Sequence, residues 1–382
     1  MDNARIKQMI ENGENLYVEF KKEINKSFAE EVVSFLNTEG GTILIGVDDK
    51  GEVIGINKNL EEIIMNICRD SVIPAITPKY LEHVYKDKKI AIVDIERGNN
   101  KPYYTISNKY YIRVGSTKRI ATKDELLRLF EASGAFHFDI SGATKTGIKD
   151  LNIDEIRDYF VSYNAFDLYE EDKETINRIL INADILKESG NEILCTVGGL
   201  LIFGKRPEKN LFQSGISFAH FNGNDISVNL IDKKEICGRM KDVVDQTMTV
   251  ITNNLIISST IEGAVRKEIY EYEDLVLREA IVNALVHRNY SIQGSKIRIL
   301  LFDDRIEFHS PGKIPNTVTI EKMKIGVSYA RNPFLVKYME NMRYIDKLGR
   351  GIPMIFANAK RLNRKQPKLE MSGEEFILTL YR

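Results

Sequence analysis

The sequence predicts an α+β protein of several domains, and three observations carry that prediction. Short apolar runs of strand length are interspersed with segments of helical period along all 382 residues. A chain of this length is sufficient for two or three cores. Residues 132–149 (ASGAFHFDISGATKTGIK) are rich in glycine, alanine and threonine and read as a linker. The expected division is 1–130, then a middle region 150–270, then 271–382.

Residues 1–130 read as an α/β lobe. A short opening helix leads to a strand in ENLYVEFKKE, where Leu16, Val18 and Phe20 alternate with Tyr17, Glu19 and Lys21. A helix near 27–37 ends at NTEGG, whose glycines supply a stop. TILIGVDD follows as a buried strand. Its alternation puts Ile43, Ile45, Val47 and Asp49 on one face and Thr42, Leu44, Gly46 and Asp48 on the other. EVIGI is a short strand, 60–70 a helix, and KDELLRLFEAS the last helix of the lobe. The middle region opens with the helical LNIDEIRDYF and TINRILINADIL. ILCTVGGLLIFGKRP then reads as a hairpin, or a strand and a turn, which gives a winged-helix-like order. The last region starts near Tyr272 with a long helix, then a strand pair and two more helices.

Bulk properties exclude several classes. Composition is ordinary for a soluble protein, at 43% hydrophobic and 29% charged. No apolar run reaches eighteen residues, which argues against a membrane span and, with Cys68, Cys195 and Cys237 scattered, for a reducing cytoplasm. The net charge of −1 exerts no global pull on nucleic acid. One local patch does: between Lys101 and Lys123 lie Lys109, Arg113, Lys118 and Arg119 with no acidic residue. Tyr103, Tyr104, Tyr110 and Tyr111 are interleaved with them. Such a segment can neutralise phosphates and stack on unpaired bases, or it can be a hairpin with a basic solvent face.

Two groups of residues carry chemistry. If the strands at 16–20 and 42–49 pair, Glu14, Glu19 and one of the VDD aspartates converge at a sheet end. Crowded carboxylates repel unless a cation sits among them, and a divalent metal is the usual resident. Without metal such crowding destabilises the fold, so Glu19→Gln is expected to hold or raise stability. Lys21 could add charge at a scissile phosphate. In YEDLVLREAIVNALVHRNYS, Glu279, Asn283 and His287 recur every four residues on one helical stripe, opposite Ile281, Val282, Leu285 and Val286. This suits a metal–nucleotide site or a plain solvent-facing stripe.

ENLYVEFKKE, SFLNTEGGTILIGVDDKGEVIGI, KPYY and YYIRVGSTKR resemble, over about residues 12–128, the AlbA-type domain of Schlafen proteins and many bacterial regulators. The resemblance implies a metal-dependent RNA-cutting site with Glu14, Glu19 and Asp49 as Mg²⁺ or Mn²⁺ ligands and Lys21 beside them. It also implies a homo-oligomer, at least a dimer, because Schlafen nucleases pair two lobes. The relatives described as DNA-binding imply a second reading, a transcriptional regulator that does not cut. On the nucleic-acid side the candidates are Lys101, Lys109, Arg113, Lys118 and Arg119.

REAIVNALVHRNY, KIRILLFDDRIEFHSPGKIP, RNPFLVKYM and DKLGRGIPMI resemble the GHKL-type ATP-binding α/β sandwich of RecG-helicase-like bacterial proteins. TVGGLLIFGKRPEKNL and IEGAVRKEIYEYEDLVLREA extend that likeness to about 150–382. It implies ATP as ligand, Asn283 as Mg²⁺ ligand and Glu279 as the water-orienting base. Gly312 falls in the first glycine box, and Gly349 and Gly351 in the second. Ser310 stands where that family carries an adenine-reading aspartate. No Walker A sequence occurs, so a motor helicase is excluded. The two resemblances together imply an RNA-cutting effector of stress or phage defence under nucleotide control. The alternative is a regulator with nucleotide as effector. A chaperone-like ATPase leaves the basic tyrosine patch without use.

Overall fold

The computed structural model describes residues 3–382 except 165, 227–228, 256–257, 263–264, 270–271, 316–317 and 346–348. It separates into two compact units, residues 1–136 and 137–382.

In the first unit, helix α1 (Asn3–Asn12) precedes strand β1 (Val18–Lys21), helix α2 (Phe28–Asn37) and strand β2 (Gly41–Ile45). Then come α3 (Glu61–Asp70), β3 (Val72–Ile73), β4 (Lys79–Tyr85) and β5 (Lys88–Ile95). The unit ends with β6 (Tyr104–Thr105), β7 (Tyr111–Val114), β8 (Thr117–Ile120) and α4 (Lys123–Ser133). The main sheet has the order β1-β2-β5-β4. Its β1–β2 pair is parallel, as a strand–helix–strand connection through α2 requires. Both sheet faces are covered. Ile43, Ile45, Ala91 and Val93 pack with Val32, Phe35 and Ile64 from the helices. Val18, Phe20, Leu44, Ile90 and Ile92 pack with Ile6 of α1.

The strand expected to run to Asp49 stops at Ile45. Gly46 takes φ +95°, a conformation that L side chains rarely adopt, and the chain turns there. Val47 consequently joins the core of Leu44 rather than that of Ile43 and Ile45. The alternation that sorted Asp48 from Asp49 therefore does not apply beyond Gly46. Asp48 instead closes the turn, its Oδ1 accepting from the amides of Lys50 at 3.0 Å and Glu52 at 2.8 Å.

The second unit begins with α5 (Ile153–Asn164), α6 (Lys173–Asn182) and the antiparallel pair β9 (Leu186–Ser189) and β10 (Glu192–Cys195). The segment expected to turn after β10 is helix α7 (Val197–Phe203), capped by Thr196 Oγ1 on the Gly199 amide at 2.9 Å. Every α7 residue is buried, so it shows no amphipathic period to read in the sequence. Next come β11 (Ile216–Phe221), β12 (Leu230–Ile236), α8 (Met240–Asn254), the pair β13 (Ser258–Glu262) and β14 (Val265–Ile269), and α9 (Asp274–Val286). The chain ends with β15 (Ile297–Leu301), β16 (Arg305–Pro311), α10 (Ile320–Lys324), α11 (Pro333–Asn341), α12 (Gly351–Arg361), β17 (Lys368–Ser372) and β18 (Glu375–Tyr381). A mixed sheet in the order β12-β11-β15-β16-β18-β17 buries Phe218, Ile299 and Phe308 against Val244 of α8 and Ile281 of α9. The whole is an α+β protein of more than one compact part.

Candidate functional site

In the first unit the structure gathers the expected acids but supplies their cations from the chain itself. Glu19 is 5% exposed and Arg113 is 3% exposed. Arg113 Nη2 donates to Glu19 Oε2 at 2.6 Å and to the carbonyls of Asn15 and Val18 at 2.9 and 3.0 Å, while its plane lies 4.3 Å over the Phe35 ring. The other Glu19 oxygen, Oε1, accepts from Lys21 Nζ. Lys21 Nζ also lies 3.4 Å from Glu31 Oε1, and Lys118 Nζ bonds that same oxygen. Three cations and the acids Glu19, Glu30 and Glu31 thus form one largely buried network. Burial works against a charged Lys21, but Glu19 and Glu31 outweigh it and hold its pKa above the ordinary lysine value.

Glu14 sits beside this network, its Oε1 accepting from the Phe20 amide at 3.0 Å. Burial raises its pKa, and the charges of Glu19 and Asp49 add to the rise. The three expected acids are therefore electrostatic neighbours. Among the described residues, however, no group of three or more His, Cys, Asp or Glu side chains could hold a metal ion. The donor set does not fit a divalent cation, because both Glu19 oxygens already face positive side chains. The cation that crowded carboxylates need is present, and it is Arg113 with Lys21. This reverses the stability expectation for Glu19→Gln.

The same pairing reshapes the basic segment. β7 and β8 form the hairpin, but Arg113 points inward, and the buried Lys101 donates to the Thr38 carbonyl at 2.7 Å. These two cations are not placed to meet phosphates. Arg119 is exposed, with Nη1 and Nη2 on the Glu125 carboxylate at 2.8 and 2.7 Å. That pairing, led by Arg119, lowers the Glu125 pKa to about 2. Lys109 is exposed. Tyr103 and Tyr111 are buried in the core, while the Tyr104 and Tyr110 rings, 5.2 Å apart, are half-buried.

In the second unit, Glu279, Asn283, His287, Gly312, Gly349 and Gly351 line one cavity of about 390 Å³. That size is typical of small-molecule sites. Helix α9 presents the polar stripe, its Asn283 Nδ2 donating to Glu279 Oε1 at 2.9 Å. This directs the amide oxygen away from Glu279 and leaves it as the group suited to a cation. His287 caps the helix end. Burial pushes its imidazole pKa down to about 4, and the Arg331 guanidinium adds to the shift.

The glycines are sterically required. A Cβ on Gly351 would lie 1.5 Å from Glu279 Oε1, because that carboxylate rests at the N-terminus of α12. Gly349 has φ +67°, and a Cβ there would meet the Gly326 carbonyl oxygen at 2.1 Å. Gly312, at φ +127°, is closed in by Arg331 and Asn289. Ser310, in the place of the expected aspartate, donates to the Ala284 carbonyl at 2.8 Å and is committed to holding α9.

Lys313, Tyr329 and Arg331 also line the cavity and were not among the sequence candidates. Their signal was weak, since each lies on an irregular segment without periodicity. Helix N-terminus, glycine-lined loops, two cations and an amide–carboxylate pair are together a donor set that fits a nucleotide polyphosphate with its cation.

Comparison with known proteins adds two regional matches. Residues 14–122 match the family model "Schlafen, AlbA_2", and residues 294–380 match "Putative ATP-dependent DNA helicase recG C-terminal". The second match begins after Glu279 and Asn283, whose assignment rests on the cavity geometry. No curated protein matches the chain. Among solved structures, the DIP2311 protein from Corynebacterium diphtheriae is similar at 19% identity and a TM-score of 0.48, covering 99% of this chain and 79% of its own. The N-terminal domain of a putative ATP-dependent DNA helicase RecG-related protein from Nitrosomonas europaea is similar at 22% identity and a TM-score of 0.26, covering 31% of this chain and 92% of its own. Among the described residues no helix is long and apolar enough to cross a membrane. The chain thus carries a Schlafen AlbA_2 region and a RecG C-terminal-type region, a nucleic-acid-related module and an ATPase-type module in one polypeptide.

Proposed function

We propose that this chain is a nucleotide-responsive nucleic-acid-binding protein whose second unit binds a nucleoside triphosphate with Mg²⁺ and whose first unit binds RNA or DNA without cutting it. The observation that carries the reading is that Glu279 and Asn283, Gly312, and Gly349 and Gly351, from three separate stretches of sequence, line one cavity of ligand size. In this reading Asn283 holds the cation, and Glu279 orients a water. The Gly349 and Gly351 backbone approaches the phosphates at the start of α12, and Lys313 and Arg331 offset their charge. The bound Mg²⁺ would polarise the terminal phosphate. Ser310 offers no carboxylate to select the base, so ATP is expected to bind with little preference over other purine triphosphates.

Calorimetry with ATP and a nonhydrolysable analogue, with Mg²⁺ or chelator, tests the nucleotide half. Metal-dependent binding lost in Asn283→Ala supports it, and equal affinity in the variant removes it. The nucleic-acid half is tested with labelled tRNA and duplex DNA in Mn²⁺ or chelator. An intact, retained probe fits binding. Metal-dependent fragments would restore the reading in which Glu14, Glu19, Lys21 and Asp49 form a nuclease site.

A further inference from the structure

Residues 329–336 face two ways. Tyr329, Ala330, Arg331 and Val336 line the cavity. The residues between them grip two other parts of the unit. Asn332 is 1% exposed, and its Nδ2 donates at 2.8 Å to each of the Val286 and Arg288 carbonyls, which flank His287 at the end of α9. Asn332 holds the N-cap position of α11, where a side chain ordinarily satisfies the first helical amides. Because its side chain is committed to α9, another group must take that task.

That group is Asp139. Its Oδ2 accepts from the Phe334 amide at 2.8 Å and the Leu335 amide at 3.4 Å, across 195 residues of sequence for the first. Asp139 is 0% exposed, and its Oδ1 has no hydrogen-bond partner. His137 Nδ1 lies 3.3 Å from the Arg331 carbonyl oxygen. Gly198 provides the room: a Cβ there would lie 2.4 Å from the Phe334 ring and 3.0 Å from the Asp139 carbonyl oxygen. Residues 137–139 are also the first of the second unit, directly after residue 136.

We infer that the turn Arg331–Leu335 carries cavity occupancy to His137–Asp139, and that this segment is the coupling element through which nucleotide changes the nucleic-acid affinity of the chain. The inference rests on the nucleotide reading above. A ligand touching Tyr329 or Arg331 displaces the turn, which is tied to α9 through Asn332 and to the 137–139 segment by two hydrogen bonds to one buried carboxylate. Both bonds fall on one oxygen of a fully buried side chain and are kept or lost together, so the response is a switch between arrangements and not a gradual yielding. Thermodynamic linkage then requires nucleic acid to change nucleotide affinity by the same factor.

The test uses the full chain as wild type, Asp139→Asn and Asp139→Ala. Calorimetry gives the affinity for a nonhydrolysable ATP analogue with Mg²⁺. Titration of labelled tRNA and duplex DNA gives nucleic-acid affinity with and without the analogue, and melting curves report the fold. In wild type the analogue should shift nucleic-acid affinity by about five-fold or more. Asp139→Ala should bind the analogue as wild type does and show no shift. Asp139→Asn, which keeps one acceptor, should show a smaller shift and serves alone if the alanine variant does not fold. A merely structural role would lower the melting temperature and leave the shift in place, and that outcome overturns the inference. So does wild type that binds the analogue with no change in nucleic-acid affinity. Failure of wild type to bind the analogue is a different result: it removes the nucleotide reading, and the coupling with it.

Discussion

The acids of the first unit and the polar stripe of α9 begin from the same kind of sequence signal, charged or amide side chains at a spacing that brings them together. They end in opposite states. Glu19, Glu30 and Glu31 are answered by Arg113, Lys21 and Lys118, all within the fold. Glu279 and Asn283 bond each other and still border about 390 Å³ of space beside Lys313 and Arg331. A set of residue types suggests a site, but the space that folding leaves beside it decides whether it can receive a ligand. The first group closes on its own cations. The second borders a cavity.

Arg113 offers the largest expected break between the two regions. Arg113→Ala strands Glu19 without its buried partner, which should cost about 3–5 kcal/mol and lower the melting temperature of the first unit. A melting curve equal to wild type would mean the network is not a structural core. The counterpart is Asn283→Ala, which should reduce Mg²⁺-dependent nucleotide affinity at least about ten-fold, since even groups behind a metal ligand cost that much. Its melting curve without nucleotide should match wild type. A large destabilisation would instead make the α9 stripe structural.

Asp139 sharpens the comparison through pH. Burial raises its pKa from 3.8 to about 6, although the Phe334 and Leu335 amides and His137 favour the charged form. The folded state therefore holds the proton more tightly than the unfolded one. Stability from this group is full below about pH 4 and is lost as pH rises through about 6, by about 3 kcal/mol in all. Denaturant midpoints of the second unit should show this decline in wild type and lack it in Asp139→Asn.

Glu14 gives a smaller effect of the same sign. Its pKa is raised by burial and by neighbouring acids. Glu14→Gln should thus raise the midpoint of the first unit at pH 7, and the gain should vanish below the ordinary glutamate range. Glu19→Gln should lower it at pH 7, because Glu19 is paired where Glu14 is crowded. Equal signs for the two variants would contradict that distinction. The smallest effects belong to Lys109→Ala and Arg119→Ala, each expected to reduce the salt slope of nucleic-acid binding by about one. Slopes unchanged in both would make this face solvent decoration.

Local pattern alone determined much of this chain. The alternation of Val18, Glu19 and Phe20, the four-residue spacing of Glu279 and Asn283, and the glycine stops each follow from backbone geometry, which acts over a few residues. The α+β class was legible for the same reason. Three matters were not. Gly46 ended a strand that looked continuous to Asp49, because its neighbours gave no cue to its positive φ. Helix α7 hid its period by being buried on every side. The basic run 101–123 looked unopposed because its acids, Glu19, Glu30, Glu31 and Glu125, lie elsewhere in the chain. Only tertiary structure decided which charges meet, since Coulomb attraction and burial depend on distance in space and sequence records distance along the chain. The same holds for Asp139 and the amides it caps, 195 residues from the first of them.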